Sequence, residues 1–400
     1  MSFRFGIDEL LDNQSQMADL RQKRCALVAH PASVTATLRH SLDALIENGC
    51  QVIRAFGPQH GMRGDKQDNM VETEDYLDPT HQIPVISLYS DFRRPTAEML
   101  EDLDIVLFDL QDIGCRIYTY IATLKYFLEE AAKCHVQIWV LDRPNPAGRP
   151  IDGSYLEPGF ESFVGCDEIP TRHGLTTGEL ALWFKHSGSL ETDLKIIKMR
   201  DYYPSEAPGY GWPEMSAWVN PSPNASSVNM TRIFPGSVLI EGTELSEGRG
   251  TTIPLEVIGA PDFPAEEILE LLHSQAPHWL SGILVRPCFF EPTFHKHQGK
   301  LCKGLQFHTR FDGYLHEEFQ PYRLIAGCLK ALRLLRPDYP IWRDFYYEYE
   351  TGKLPIDVIN GGEALRHWVD DKNATFDQFA KLISEHENLW LEQRQAHLLY

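Results

Sequence analysis

The first 150 residues alternate between apolar runs and segments with helical periodicity. Continuous apolar runs bounded by turn-forming residues are typical of strands buried on both faces of a parallel sheet. The alternation therefore predicts an α/β fold with a Rossmann-like, doubly wound and mainly parallel sheet. The predicted strands are 25–33, 50–58, 83–90, 103–112 and 136–146, and the predicted helices between them are 35–49 and 118–134.

The remaining residues predict a second, smaller domain of mixed α/β type. A helix over 176–188, with Thr177 as N-cap, still belongs to the first part. Residues 202–227 are rich in Pro, Gly, Ser and Asn, which favours a long ordered loop or a domain crossing. We therefore expect a Rossmann-like N-terminal domain over 1–220 and a C-terminal α/β domain over 221–400. Predicted elements of the latter are helices at 265–275, 322–335 and 375–399 and strands at 282–290 and 304–311.

Polar side chains gather where the second, fourth and fifth predicted strands end. Ligands of open parallel sheets bind beyond the carboxyl ends of the strands, so these side chains should share one cleft. The alternative is that each Asp is merely a helix cap or turn former. The set comprises Gln59, His60, Arg63, Asp65, Asp109, Gln111, Asp112, Arg116, Tyr118, Asp142, Arg143 and Asn145.

A second polar cluster follows the apolar segment "GSVLI" in the second half. Glu241 is predicted at the end of a strand, with Arg249 close behind it. Gly248 and Gly250 indicate a backbone that bends close to another part of the molecule. The alternative is a surface loop with ordinary salt bridges.

The net charge and the absence of certain sequence motifs argue against several classes of function. A formal charge of −20 over 400 residues disfavours nucleic acid and anionic membranes as partners. The turn after the first strand, "VAHPASVTA", lacks glycine, so a nicotinamide-dependent oxidoreductase is disfavoured. His60, Asp65 and His173 could converge on a metal, but no ligand spacing supports such a site, and we expect no cofactor.

The remaining carboxylates, amides and arginines suit a polar, hydroxyl-rich ligand, and paired carboxylates are the usual machinery of glycoside hydrolysis. The scattered cysteines and the absence of an export signal in "MSFRFGIDELLDNQ" lead us to expect a cytoplasmic protein. The sequence leaves open whether the chain forms homo-oligomers.

Six blocks in order resemble the exo-acting β-N-acetylmuramidase family: "FGPQHGMRGD", "FDLQDIGCRIYTYIATL", "VLDRPNPAGRPIDG", "FVGCDEIPTRHGLTTGEL", "WVNPSPN" and "FPGSVLIEGTELSEGRGTTIPLEVIGAP". The resemblance covers nearly the whole chain. It implies an active site in the cleft between the two domains. It also implies removal of N-acetylmuramic acid from non-reducing ends of peptidoglycan fragments, in cell-wall recycling.

The resemblance carries expected roles onto individual residues. Burial favours the protonated form of a carboxyl group, so Glu241 is our first choice of general acid. Asp109 and Asp112 would bind hydroxyls or act as base, and His60 would orient a neighbouring group or the N-acetyl. The expected substrate-binding residues are Gln59, Arg63, Gln111, Arg116, Tyr118, Arg143, Asn145, His173, Asn220, Asn224 and Arg249. An arginine, one of Arg63, Arg116, Arg143 and Arg249, would bind the lactyl carboxylate of the sugar.

Gln59 departs from the family pattern, in which a glutamate is expected at this position. A glutamine cannot exchange a proton near neutral pH. Three outcomes follow: another carboxylate carries the acid/base role, the hydrolase is much weakened, or the chain only binds muropeptides or amino sugars. We expect an enzyme that acts on a small saccharide or muropeptide.

Overall fold

The computed structural model describes residues 3–67 and 70–400. Its strands, in chain order, are β1 (Arg24–Val28), β2 (Gln51–Gly57), β3 (Tyr76–Leu77), β4 (Pro84–Ser87), β5 (Ile105–Phe108), β6 (Gln137–Leu141), β7 (Asp152–Tyr155), β8 (Pro170–Arg172), β9 (Leu194–Ile197), β10 (Val257–Ala260), β11 (Leu284–Phe290) and β12 (Cys302–His308). Its α-helices are α1 (Gly6–Asp12), α2 (Gln14–Leu20), α3 (Ser41–Glu47), α4 (Ala97–Leu100), α5 (Tyr120–Cys134), α6 (Thr177–Ser187), α7 (Val228–Ser237), α8 (Ala265–Gln275), α9 (Pro321–Leu335), α10 (Pro355–Asn360), α11 (Ala364–Asp370) and α12 (Phe376–Arg394). Short 3₁₀ helices lie at Val238–Gly242, Pro277–Leu280 and Gln395–His397.

The central sheet has the strand order β3-β4-β2-β1-β5-β6-β9. All neighbours are parallel except the edge strand β3, which runs antiparallel to β4. Counting only the parallel strands in chain order, this is the 3-2-1-4-5-6 arrangement of a doubly wound Rossmann sheet. The predicted fold class is confirmed, and the strand order reverses between β1 and β5.

Helices cover both faces of this sheet, as a doubly wound fold requires. One apolar cluster packs α1, α2 and α3 against one face and includes Leu10, Leu27 and Trp139. A larger cluster covers the other face with α5 and α6 and continues into the second half of the chain, where it includes Leu329 of α9. The two halves thus share one apolar core across the described residues.

The second half contains a smaller antiparallel sheet of order β10-β12-β11. Helix α9 packs against α7, α8 and α11. Helix α12 returns to the first half, where it contacts the small β7-β8 hairpin. The chain thus crosses twice between its halves.

Three local predictions are wrong in detail. The first predicted helix, 35–49, is helical only over Ser41–Glu47, because residues 35–40 form a turn with Leu38 at φ 64°. Helix α6 is capped by Thr176 rather than Thr177, through a capping box with Glu179. Glu241 lies in a 3₁₀ helix that continues α7, not at a strand end, because a short apolar run alone does not separate strand from buried helix.

No helix in the described part of the chain is long and apolar enough to cross a membrane. All eight cysteines carry free thiols.

Candidate active site

A pocket opens at the carboxyl ends of the parallel strands. The segments that follow β2 and β5 form one wall, and α7, its 3₁₀ extension and the turn at residues 347–350 form the other. The pocket contains about 560 Å³ of empty space, its open mouth included. This is the place where open α/β sheets bind ligands.

The lining combines an apolar base with a dense set of polar groups. The apolar members are Ile113, Ile117, Val164, Ala225, Met230, Phe234, Val238 and Leu255. The polar members are Gln59, His60, Tyr118, Thr119, Tyr120, Ser222, Asn224, Glu241, Arg249, Tyr347 and Glu348. The pocket thus holds two glutamates, Glu241 and Glu348.

Glu241 is held in a buried network of alternating charges. Arg249 donates from Nη2 to Oε1 of Glu241 at 2.5 Å and from Nε to Glu247 at 2.9 Å. Glu247 in turn pairs with Lys296 at 3.0 Å. Burial alone would raise the pKa of Glu247, but Lys296 and Arg249 hold it well below its usual range. The network therefore balances two carboxylates with two cations, and it presents Glu241 to the pocket as half of an ion pair.

The backbone around Arg249 is bent as the glycine pattern indicated. Gly248 and Gly250 have φ of 76° and 77°, a region that other residues rarely adopt. A Cβ on Gly250 would lie 1.8 Å from Oγ1 of Thr293. Both glycines are therefore needed to bring the guanidinium of Arg249 to Glu241.

Glu348 lies in a different environment on the same pocket. It is 4% exposed, and its carboxyl group accepts hydrogen bonds from the Tyr89 hydroxyl at 3.0 and 3.2 Å and from Nε2 of Gln59 at 3.3 Å. No Lys or Arg of the described residues lies within ion-pair distance of it. Burial raises the pKa of Glu348 to about 7, and the negative charge of Glu241 contributes to that rise.

The turn that carries Glu348 has an unusual backbone. The amide of Glu350 bonds the carbonyl of Tyr347 at 3.0 Å, and the two residues between them, Glu348 and Tyr349, have φ of 45° and 66°. Positive φ at both central positions is the signature of a type I′ turn, which Gly, Asn and Asp normally fill. Strain of this kind persists where surrounding contacts enforce it, and it clusters at functional sites.

Gln59 is fixed at both ends of its amide. The hydroxyl of Thr119 donates to its Oε1 at 2.7 Å, which directs its Nε2 group toward Glu348. The next residue, His60, has φ of 69°, and its Nδ1 bonds the carbonyl of Lys66 at 2.8 Å. The segment after β2 is therefore an ordered wall of the pocket.

Comparison with known proteins agrees with this geometry. Sequence profiles described as the N-terminal and C-terminal parts of the exo-β-N-acetylmuramidase NamZ match residues 25–229 and 232–400. A curated protein of Bacillus subtilis (strain 168), named peptidoglycan β-N-acetylmuramidase NamZ, is 38% identical in an alignment of 392 residues, which covers 94% of this chain and 89% of the relative.

The chain belongs to the NamZ family of exo-β-N-acetylmuramidases.

Two solved structures share the fold of this chain. A DUF1343 family protein of Bacteroides fragilis superposes with a TM-score of 0.84 at 27% identity, covering 100% of this chain and 99% of the other. A second one from the same organism has a TM-score of 0.77 at 24% identity, with the same coverage. The second likeness concerns the fold alone.

The predicted site residues of this NamZ family member fall into two groups. Those that line the pocket are Gln59, His60, Tyr118, Asn224, Glu241 and Arg249. Those that do not line it are Arg63, Asp109, Gln111, Asp112, Arg116, Arg143, Asn145, His173 and Asn220. Asn220 is exposed, and Arg63 lies 4.0 Å from the ring centre of Tyr76.

Asp109 and Arg143 form a buried ion pair and do not line the pocket. Nε of Arg143 donates to Oδ1 of Asp109 at 2.5 Å and its Nη2 donates to Oδ2 at 3.0 Å. Ser41 also donates to Asp109. Both charged side chains thus form hydrogen bonds with partners inside the protein.

Arg116 is fully enclosed and joins the two halves of the chain. It donates to the carbonyls of Ser154 and Ile169 on one side and of Ile359 and Asn360 on the other, at 2.6–3.3 Å. Burial lowers its pKa to about 10. Its role in the structure is to hold backbone segments in place.

The other predicted residues bind backbone groups of nearby loops or, in the case of Asp112, also lie close to His173. Asp112 accepts from the amide of Gly114 at 2.6 Å and lies 3.6 Å from Nε2 of His173. Gln111 donates to the Pro144 carbonyl at 2.7 Å, and Asn145 donates to the Leu175 carbonyl at 3.0 Å.

The residues predicted from the sequence do not include Glu348. It does not follow an apolar strand, and the prediction considered residues at the ends of such strands. The available signal was an acidic residue within the aromatic segment "FYYEYE", because aromatic side chains dominate buried contacts.

Proposed function

We propose that this protein releases N-acetylmuramic acid from the non-reducing ends of peptidoglycan fragments. The observation that carries the proposal is the presence of two buried carboxyl groups, Glu241 and Glu348, on one pocket in unlike environments. Glycoside hydrolases need such a pair, one group to donate a proton and the other to act as an ion. Membership of the NamZ family and the name of the Bacillus subtilis relative support the same reaction.

Glu241 has the environment of the ionised member. Arg249 lies against Oε1, and the Tyr347 hydroxyl donates to Oε2 at 3.1 Å. A carboxylate held in this way stabilises positive charge that develops on the sugar ring, and it activates water or attacks the anomeric carbon itself. We therefore move the expected general-acid role away from Glu241.

The pocket suits an exo-acting enzyme. Residues of the first part, including Gln59 and Thr119, and of the second part, including Glu241 and Glu348, surround one space. Such a pocket accepts the end of a saccharide chain, whereas a polymer bound along its length needs an open groove. We propose that this space is the cleft between the predicted domains, 1–220 and 221–400.

Arg249 is our candidate for recognition of the lactyl carboxylate. It is the arginine of the predicted set that lines the pocket, whereas Arg63, Arg116 and Arg143 do not line it. A guanidinium offers five N–H donors and pairs with carboxylates through parallel hydrogen bonds. Such a contact would separate N-acetylmuramic acid from N-acetylglucosamine, which has no lactyl group.

We further propose that the reaction takes place in the cytoplasm, on recycled wall fragments. The eight free thiols support a reducing compartment.

The test compares two disaccharides that differ in their non-reducing sugar. N-acetylmuramyl-N-acetylglucosamine should release free N-acetylmuramic acid, and di-N-acetylchitobiose should be cleaved far more slowly. Thermal stabilisation by the first disaccharide with no product would instead indicate a protein that only binds the sugar. Equal cleavage of both would contradict recognition of the lactyl group.

A further inference from the structure

We propose that Glu348 is the catalytic proton donor of this enzyme, held in place by Gln59 and Tyr89. The inference rests on the proposed function, and it identifies the residue that compensates for a glutamine where the family pattern led us to expect a glutamate. It follows from the position of Glu348 on the pocket, from its hydrogen bonds and from its backbone conformation.

The carboxyl group of Glu348 has no directly paired cation among the described residues. Its partners are the hydroxyl of Tyr89 and the amide of Gln59, both uncharged. Glu241, by contrast, is paired with the guanidinium of Arg249. Of the two carboxyl groups that the described residues bring to the pocket, Glu348 is thus the one without a paired cation.

The backbone holds this side chain in the pocket at a cost in strain. The left-handed region is unfavourable for an L-residue, because its Cβ comes too close to the following carbonyl oxygen. Contacts on both sides of Glu348 maintain the turn: Tyr347 donates to Glu241, and the Tyr349 ring lies 3.4 Å from the guanidinium of Arg93. A residue kept in a strained position on a pocket points to a functional constraint.

Charged and titratable groups face Glu348 from several segments. Tyr89 and Gln59 donate hydrogen bonds that favour its ionised form, and Arg93 acts in the same direction. Burial and the negative charge of Glu241 act in the opposite direction and outweigh them. The net effect is that the pKa of Glu348 is raised to about 7. A group with a pKa near the working pH can both give and regain a proton.

The proton transfer completes a balanced reaction. The bond between the anomeric carbon and the glycosidic oxygen breaks and its electron pair stays on that oxygen. The proton of Glu348 passes to the same oxygen, which leaves as a hydroxyl group. Water later forms the new bond to the anomeric carbon. The proton that this water loses replaces the one that Glu348 gave up.

Gln59 has a clear part in this arrangement. Thr119 fixes the direction of its amide, so a neutral N–H group faces the carboxyl oxygen of Glu348. A second carboxylate at this place would repel the ionised form of Glu348 and change its proton affinity. We therefore assign Gln59 and Tyr89 as positioning residues.

The experiment compares a natural and an activated substrate. A disaccharide needs its leaving oxygen protonated, whereas a 4-nitrophenyl glycoside of N-acetylmuramic acid does not, because nitrophenolate is a stable leaving group. We expect Glu348→Gln to lower kcat/KM on the disaccharide by about 10²–10⁴-fold, the usual contribution of a general acid. On the nitrophenyl glycoside we expect a loss of less than about tenfold. In the pH profile of kcat/KM on the disaccharide, the fall on the alkaline side near pH 7 should disappear in this variant.

Glu241→Gln is the matched control, and it should reduce kcat/KM on both substrates.

Tyr89→Phe gives a second, independent test, because it keeps the carboxyl group and removes a hydrogen bond that favours ionisation. In this variant, the fall in kcat/KM on the alkaline side of the pH profile should move to higher pH. Full disaccharide activity in Glu348→Gln, or an equal loss on both substrates, would overturn the assignment. A natural chain that cleaves neither substrate would overturn the proposed function, and this inference with it.

Discussion

The amide of Gln59 and the carboxyl group of Glu348 meet across 3.3 Å, although 289 positions separate them along the chain. The contact joins the wall built after β2 to the turn that follows α9. It places a neutral hydrogen-bond donor against the carboxyl group that we assign as the acid. The chemistry of this pocket therefore depends on a pair that no local sequence motif contains.

Glu348 should make folding stability depend on pH. Its pKa is raised from an ordinary 4.5 to about 7, so the folded chain binds this proton more tightly than the unfolded chain. Stability from this group is present below about pH 4.5 and is lost as the pH rises through 7. At about 1.4 kcal/mol per pKa unit, the loss is on the order of 3 kcal/mol.

Glu348→Gln should remove that dependence. Free energies of unfolding, measured in urea at pH 5 and pH 8 for both proteins, isolate the contribution of this one group. The variant should lose less stability than the natural chain between the two pH values. Parallel losses would mean that Glu348 ionises in the folded protein as it does in water.

Gln59→Glu should shift the pH profile of kcat/KM. Two carboxyl groups that face each other share a proton, and one of the pair then has a raised pKa. The alkaline limb should therefore move upward by about one pH unit or more. Gln59→Ala removes the hydrogen bond without adding charge and should give a smaller shift, so equal profiles for the two variants would contradict the pairing.

Glu241→Gln should lower turnover strongly and spare binding. The substitution keeps the size of the side chain but removes the charge that pairs with Arg249. We expect kcat to fall by about 10²–10⁴-fold, while thermal stabilisation by the disaccharide persists. Retained turnover would remove Glu241 from the catalytic machinery.

Arg143→Ala should destabilise the fold because it leaves Asp109 buried without its cation. Removal of one partner of a buried pair typically costs about 3–5 kcal/mol. Arg39→Ala breaks the half-exposed pair with Glu47 and should cost at most about 1 kcal/mol, which makes it the control in a urea titration. An unchanged stability of Arg143→Ala, combined with weaker binding of N-acetylmuramic acid, would instead mean that Arg143 contacts the ligand.

Hydrophobic and polar patterns along the chain were sufficient to predict the parallel sheet and the edge of the sheet at which the pocket lies. Buried strands such as β2 and β5 are continuous apolar runs, and the rule that ligands bind at their carboxyl ends led to Gln59, His60 and Tyr118. The same rule could not separate side chains that line the pocket from those that support it. Asp109 and Arg116 also follow β5, but their partners come from distant segments that the sequence does not reveal.

Glu348 escaped prediction for a related reason. Its burial and its pKa depend on Tyr89, Gln59 and Glu241, which lie far from it along the chain. Its conformation depends on a turn type that its own residue does not favour. A site assembled from tertiary contacts of this kind requires a structure.

The most direct measurement is a time course on the tetrasaccharide with alternating N-acetylmuramic acid and N-acetylglucosamine, N-acetylmuramic acid being at its non-reducing end. Products would be identified by mass spectrometry. We predict that free N-acetylmuramic acid and the matching trisaccharide appear first, in equal amounts. Disaccharides as first products, or an intact tetrasaccharide that only stabilises the protein, would contradict an exo-acting muramidase.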